Sequence, residues 1–223
     1  MTTIENNLQA MRARIAAACQ DAGRDVSQVQ LLAVSKTFPA ASVQQALDAG
    51  QRDFGENYIQ EAVAKIGELA GMPAVWHCIG PIQGNKTRLV AEHFDWAQSV
   101  DRLKIAQRLS DQRPAHLAPL QVCIQVNTDG GPTKAGVTPE ALPELARAIS
   151  RLPRLRLRGL MTIPEPAADF TSACALHARA RALFDALNAQ GLALDTLSMG
   201  MSADVEAAIH AGSTMVRVGT AIF

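Results

Sequence analysis

The sequence predicts a (β/α)8 barrel of the TIM type with an additional N-terminal helix. Short apolar runs alternate with segments of helical period along the chain, the runs number eight, and no Gly-x-Gly-x-x-Gly follows the first. Alternation calls for a parallel sheet, because parallel strands need a long crossover, and eight strands permit closure. The missing glycine motif counts against the competing open, doubly wound sheet. At 223 residues the chain fits a single barrel domain spanning 1–223.

The elements follow in order. Residues 2–22 place Ile4, Leu8, Met11, Ile15 and Cys19 at helical spacing, and Thr2-x-x-Glu5 resembles a capping box. After the turn Gly23-Arg24-Asp25, the run Val29–Ser35 (VQLLAVS) is short, apolar and partly β-branched, as a strand buried on both faces should be. Strands are then expected near 30–35, 52–55, 75–79, 95–99, 120–126, 156–162, 195–199 and 215–218. Helices are expected near 40–49, 57–70, 85–93, 101–111, 138–151, 170–190 and 203–211, many stopped by Gly or Pro.

Composition narrows the function classes. With 48% hydrophobic and 19% charged residues and a formal net charge of zero, the chain resembles ordinary globular proteins. Neither a nucleic-acid nor a membrane partner is expected, and the arginines at 151, 154, 156 and 158 lack interleaved aromatic residues. Cys19, Cys78, Cys123 and Cys174 form no CxxC pair and read as core residues, and no metal is expected. The N-terminus shows no signal-peptide pattern, so a cytoplasmic location is expected.

In such a barrel the working residues lie at the C-terminal strand ends and in the loops after them. Lysine is scarce, at five residues against sixteen arginines, and Lys36 follows the first apolar run directly. Desolvation there would lower its ordinary pKa of about 10.4 and expose the neutral amine that attacks an aldehyde. On position alone, a lysine snorkelling to solvent is the simpler account. Ser202 reads as the N-cap of a helix that begins acidic and stops at Gly212, and Gly219 follows Arg217 at the end of the last strand. These two segments are the loops after strands seven and eight, where barrels commonly hold phosphate. Asn57 and His77 are strand-end polar residues that structural roles would also explain.

Several motifs carry a resemblance. Val34-Ser35-Lys36-Thr37, Phe54-Gly55-Glu56-Asn57-Tyr58, His77–Lys86, Gly159–Ile163 and the run from Ser198-Met199-Gly200-Met201-Ser202 through Gly212–Phe223 resemble the pyridoxal phosphate homeostasis protein family over nearly the whole chain. The resemblance implies a barrel similar to the cofactor domain of alanine racemase, with pyridoxal 5'-phosphate (PLP) as a Schiff base on Lys36. It also implies that Ser202, Gly219 and Thr220 hold the phosphate, that Arg217 faces the pyridine nitrogen, and that Asn57 and His77 line the pocket near the ring. The segment Asn127–Gly136 departs from the family pattern: Gly131 stands in place of an acid, while Lys134 and Gly136 are kept. The chain also stops at Phe223, short of an expected Gly-x-Arg-x-Tyr tail.

An arginine at the ring nitrogen would leave that nitrogen unprotonated and the ring a poor electron sink. Alanine racemases draw a second base, a tyrosine, from a further domain, whereas this chain ends at its eighth strand and its one tyrosine is Tyr58. A non-catalytic role is therefore expected: intracellular PLP binding, buffering and transfer, with PLP-dependent apoenzymes as recipients and the protein a monomer. A fold-type III amino-acid racemase is the alternative, and a Schiff-base aldolase the third reading.

Overall fold

The computed structural model describes residues 3–130 and 135–223. Thr2 of the expected capping box, and Gly131 and Lys134, lie outside the described residues.

Eight strands close into one parallel barrel in chain order: β1 (Gln30–Val34), β2 (Asp53–Glu56), β3 (Val75–Cys78), β4 (Trp96–Val100), β5 (Leu120–Gln125), β6 (Leu155–Met161), β7 (Thr196–Met201) and β8 (Met215–Val218). The last strand pairs with the first, Gln30 opposite Met215 and Leu32 opposite Arg217. Helices separate the strands: α2 (Ala40–Asp48), α3 (Ile59–Glu68), α4 (Thr87–His93), α5 (Leu103–Gln112), α6 (Leu142–Ile149), α7 (Phe170–Ala189) and α8 (Val205–His210). The N-terminal helix α1 (Thr3–Asp21) packs against both α8 and α2. It thus fills the place that a helix after β8 would take in the outer ring. Its buried stripe contains the predicted Ile4, Leu8, Met11, Ile15 and Cys19, with Ala18 in addition.

The expected strands all form, because a strand covered by helices outside and packed side chains inside must be apolar throughout. β4 is buried at every residue. Some helix ends differ from expectation. The segment expected to be helical from 203 begins at Val205, and its N-cap is Asp204, not Ser202. The reason is local: the Asp204 carboxylate accepts the Met201 amide at 2.6 Å, folding Met201–Asp204 into a turn before the helix can start. β7 also runs past 199 to Met201, with a register shift after Ser198 and Gly200 at φ +93°. A bulge supplies that extra length, and glycine tolerates its backbone.

Candidate functional site

Parity along the strands decides which side chains enter the barrel. On β8, Met215 and Arg217 point inward: Gln98 of β4, across the barrel, donates to the Met215 sulfur, and Arg217 reaches past the adjacent β7 to the Thr162 carbonyl at the end of β6. Gly219 is next in that series. Paired residues of parallel strands face the same way, so Gln30, Leu32, Val34 and Lys36 form the inward series of β1. Val34 opposite Gly55 and Gly55 opposite His77 carry the series onto β2 and β3, with Asn57 at the top of β2.

Lys36, Asn57, Gly219 and Thr220 therefore meet at the C-terminal mouth. Lys36 is exposed in the turn after β1, while Asn57 and Gly219 are half-buried. The Lys36 turn is anchored from outside the barrel. Thr37 takes a left-handed backbone, φ +67°, and its amide donates to Glu61 of α3 at 2.9 Å. The Ser35 carbonyl accepts Lys65 at 2.8 Å, and the Ser35 hydroxyl donates to Glu56 at 2.6 Å. Lys65 also pairs with Glu56 at 2.6 Å in a site closed to water. A left-handed β-branched residue is costly, and it persists here because these contacts over-determine the turn.

The far side of the mouth carries free backbone amides. The amides of Ser202, Ala203, Gly219 and Thr220 have no hydrogen-bond acceptor among the described residues, and they lie at the ends of neighbouring strands β7 and β8. Successive free amides of this kind are an anion-binding concavity. Gly219 packs closely on β1, where a Cβ would stand 3.2 Å from the Val34 carbonyl.

Arg217 lies beneath, 4% exposed, donating to the Ser198 hydroxyl at 2.8 Å and the Thr162 carbonyl at 2.7 Å. Burial pulls its pKa down to about 10, partly opposed by the Asp204 charge, so it remains a cation at neutral pH. His77 is fully buried, one inward position below Ile79, and spends both ring nitrogens, on Asp53 at 3.0 Å and Gln98 at 2.9 Å. Burial lowers its pKa against the pull of Asp53, favouring neutral imidazole. Asn57 Oδ1 is buried without a hydrogen-bond partner among the described residues, an acceptor awaiting a donor.

The structure thus brings Lys36, Asn57, Gly219, Thr220 and Ser202 to one end of the barrel, places Arg217 below them, and sets His77 deeper in the core. Sequence reasoning did not single out Gln98, Ser198 or Thr162 as site residues. The available signal was a buried polar residue on the inward parity of an apolar run, as in WAQSV and TLSMGM. Among the described residues, no group of three metal-ligating side chains occurs, and no helix is long and apolar enough to cross a membrane.

Comparison with known proteins places the chain in a family. The family model for the N-terminal domain of alanine racemase covers residues 6–223. The chain belongs to that family. Within it, the chain is 61% identical to the pyridoxal phosphate homeostasis protein of Pseudomonas aeruginosa, over its whole length and 96% of the relative's. Identity to the protein of that name from Escherichia coli K12 is 53%, again over the whole chain and 97% of the relative. The motif resemblance is borne out, and the chain is a member of the pyridoxal phosphate homeostasis protein family. Among solved structures, PipY of Synechococcus elongatus with PLP bound superposes with a TM-score of 0.86 at 39% identity, covering 99% of both chains. Alanine racemase of Corynebacterium glutamicum, at 17% identity and a TM-score of 0.68, shares the fold over 99% of this chain and 60% of its own.

Proposed function

We propose that this protein is a single PLP-binding barrel that stores and hands on pyridoxal 5'-phosphate without strong catalysis of its own. The observation that carries the reading is the pairing, across one barrel mouth, of a scarce lysine at the end of β1 with unsatisfied amides at the ends of β7 and β8. An aldehyde phosphate is the ligand that uses both. The relatives' names and the PLP-bound PipY structure support the choice of cofactor.

The residues present fit that group. Ser202, Gly219 and Thr220 would hold the phosphate through backbone amides and hydroxyls. The unpartnered Asn57 oxygen would accept a donor from the ring side of the ligand, with His77 supporting the ring from below through its neighbours. Arg217 has only donors, so it would hold the ring nitrogen in its unprotonated, accepting state. Lys36 would bind the aldehyde carbon covalently through its amine, releasing water. The bound cofactor would supply that carbon and a ring able to accept electrons. A buried cation facing the ring nitrogen blunts the second property, which favours keeping the cofactor over using it.

Storage also suits a lysine that stands exposed at the mouth, where an incoming amine can reach the linkage. Apoenzymes that require PLP are the proposed recipients, in a cytoplasmic setting, and the protein is proposed to act as a monomer. Borohydride reduction of the yellow protein followed by peptide mapping tests the assignment. The expected result is one pyridoxyl mass, on Lys36, absent from Lys36→Ala. Modification elsewhere, or enantiomer interconversion at a useful rate that Lys36→Ala abolishes, overturns the tether or the non-catalytic reading respectively; the second result would make the protein a fold-type III racemase.

A further inference from the structure

The interior of the barrel below the mouth is not simply apolar. Asp53 on β2, His77 on β3, Gln98 on β4, Ser198 on β7 and Arg217 on β8 form one continuous line of hydrogen bonds. Gln98 is the crossing point. It lies on β4, is completely buried, and reaches over the barrel interior to Ser198 at 2.7 Å and the Met215 sulfur at 3.1 Å. β4 neighbours neither β7 nor β8 in the closed sheet, so these contacts span the lumen instead of running along the wall.

The chemistry of the ends sets the direction of every bond between them. A carboxylate at Asp53 can only accept, so His77 Nε2 carries the proton. Neutral imidazole then leaves Nδ1 as an acceptor, and Gln98 must present its amide nitrogen there. Its second amide hydrogen meets the Met215 sulfur, and its carbonyl oxygen turns to Ser198. Ser198 donates its hydroxyl proton to that oxygen and is left to accept from Arg217, which can only donate. Donors therefore point one way throughout, from Arg217 to Asp53. Reversing the Gln98 amide would set its oxygen against the Nδ1 lone pair of His77 and break the line there.

We propose that Gln98 and Ser198 are positioning residues for Arg217, holding its guanidinium in register with the ligand through this one-way chain anchored on His77 and Asp53. The proposal rests on the reading that Arg217 faces the cofactor's ring nitrogen. Among the described residues, no carboxylate lies within ion-pairing distance of Arg217, so dipoles must hold it. Two do, the Ser198 hydroxyl and the Thr162 carbonyl. The carbonyl is fixed by the backbone; the hydroxyl is free to rotate unless Gln98 takes its proton. With that proton taken, the Ser198 lone pair aims at Arg217, and the remaining N–H groups of the guanidinium are presented rigidly.

Two measurements on the same variants test this. In the cofactor-loaded protein, Arg217→Met is expected to move the visible absorption band. Ser198→Ala and Gln98→Leu should each move it part of the way in the same direction, and Ser198→Thr, which restores the hydroxyl, should bring it back. In the cofactor-free protein, nitrogen NMR of His77 should show the proton on Nε2, with an Nδ1 signal that shifts in Ser198→Ala although Ser198 does not touch the ring. Should Gln98→Leu fail to fold, Ser198→Ala, which removes one oxygen atom, carries both readouts. If Arg217→Met moves the band while Ser198→Ala leaves the band and the His77 signals unchanged, the chain positions nothing and the cofactor reading stands. If Arg217→Met leaves the band in place, the ring-nitrogen reading falls, and positioning of Arg217 for the cofactor falls with it. A proton found on His77 Nδ1 overturns the direction of the chain whatever the absorption band does.

Discussion

Asp204 shows how one residue can hold a strand end and a helix start together. Its Oδ1 accepts the Met201 amide, its Oδ2 meets His177 Nε2 at 2.8 Å, and its carbonyl accepts the Ala208 amide as the helix begins. Burial raises its pKa, but the His177 bond, the Met201 amide and the charges of His177 and Arg217 outweigh it, so the carboxyl stays below its ordinary range. A depressed folded-state pKa means that the native protein binds this proton less tightly than the unfolded chain does. The stabilisation is complete above the unfolded value of about 4 and is lost as pH falls through the folded value. Asp204→Asn should therefore flatten the acid limb of the stability profile. Urea unfolding of the two proteins at a series of pH values below about 5 checks this, and parallel acid limbs would refute it. The cysteines teach the complementary lesson: Cys78 and Cys123 are fully buried, and desolvation pushes both thiols up to about 12, so they are packing groups and not nucleophiles.

Among the elements, α1 is tied to the site as well as to the core. Arg14 donates to both carboxylate oxygens of Glu206 on α8, at 2.5 and 2.6 Å, and to the Ser202 carbonyl at 2.8 Å. The ion pair is more than a third exposed, so solvent screens it to about 1 kcal/mol or less. The clamp on Ser202 is a different matter, because it holds the turn whose amides are proposed to bind the phosphate. Arg14→Met should therefore leave thermal stability nearly unchanged yet weaken PLP retention several-fold by equilibrium dialysis, and undiminished retention would show that the turn stands without it. This contact links residues 188 apart in the sequence, and no local pattern announces it. The strands were legible for the opposite reason: burial on both faces makes VQLLAVS or WAQSV readable as a unit. Helix starts were less so, since Asp204 spends its side chain on the strand before it, and the segment from 138 stays a turn until Leu142. Lys36, Ser202 and Gly219 could be singled out because barrel strand ends are predictable positions. Gln98 and Ser198 were legible only as polar residues inside apolar runs, because their partnership exists only once eight strands have closed.

For the molecule as a whole, Lys36, the proposed tether, and the stabilising core occupy different parts of the barrel, so tethering and folding are expected to separate. Most of the core lies between the sheet and the helices, from Leu8 and Ile105 to Leu142 and Leu160, all sealed from water. Lys36 stands outside it, exposed, with a turn held by Ser35 and Thr37 through backbone and neighbouring groups and not through its own amine. Removing the amine should then cost the cofactor-free protein almost nothing. Ligand binding to the native state alone stabilises by mass action, about 2.7 kcal/mol at one hundred times the dissociation constant. For a chain of 223 residues that corresponds to a rise of roughly 5–10 °C in Tm. Melting curves of wild type and Lys36→Ala, each with and without added PLP, should show equal Tm values without cofactor. With cofactor, wild type should gain that rise and the variant only the part that phosphate and ring contacts supply. Equal rises in both proteins would mean that the amine adds nothing to binding and that the phosphate end alone holds the ligand. A lowered Tm for the variant without cofactor would instead place Lys36 among the residues that hold the barrel together.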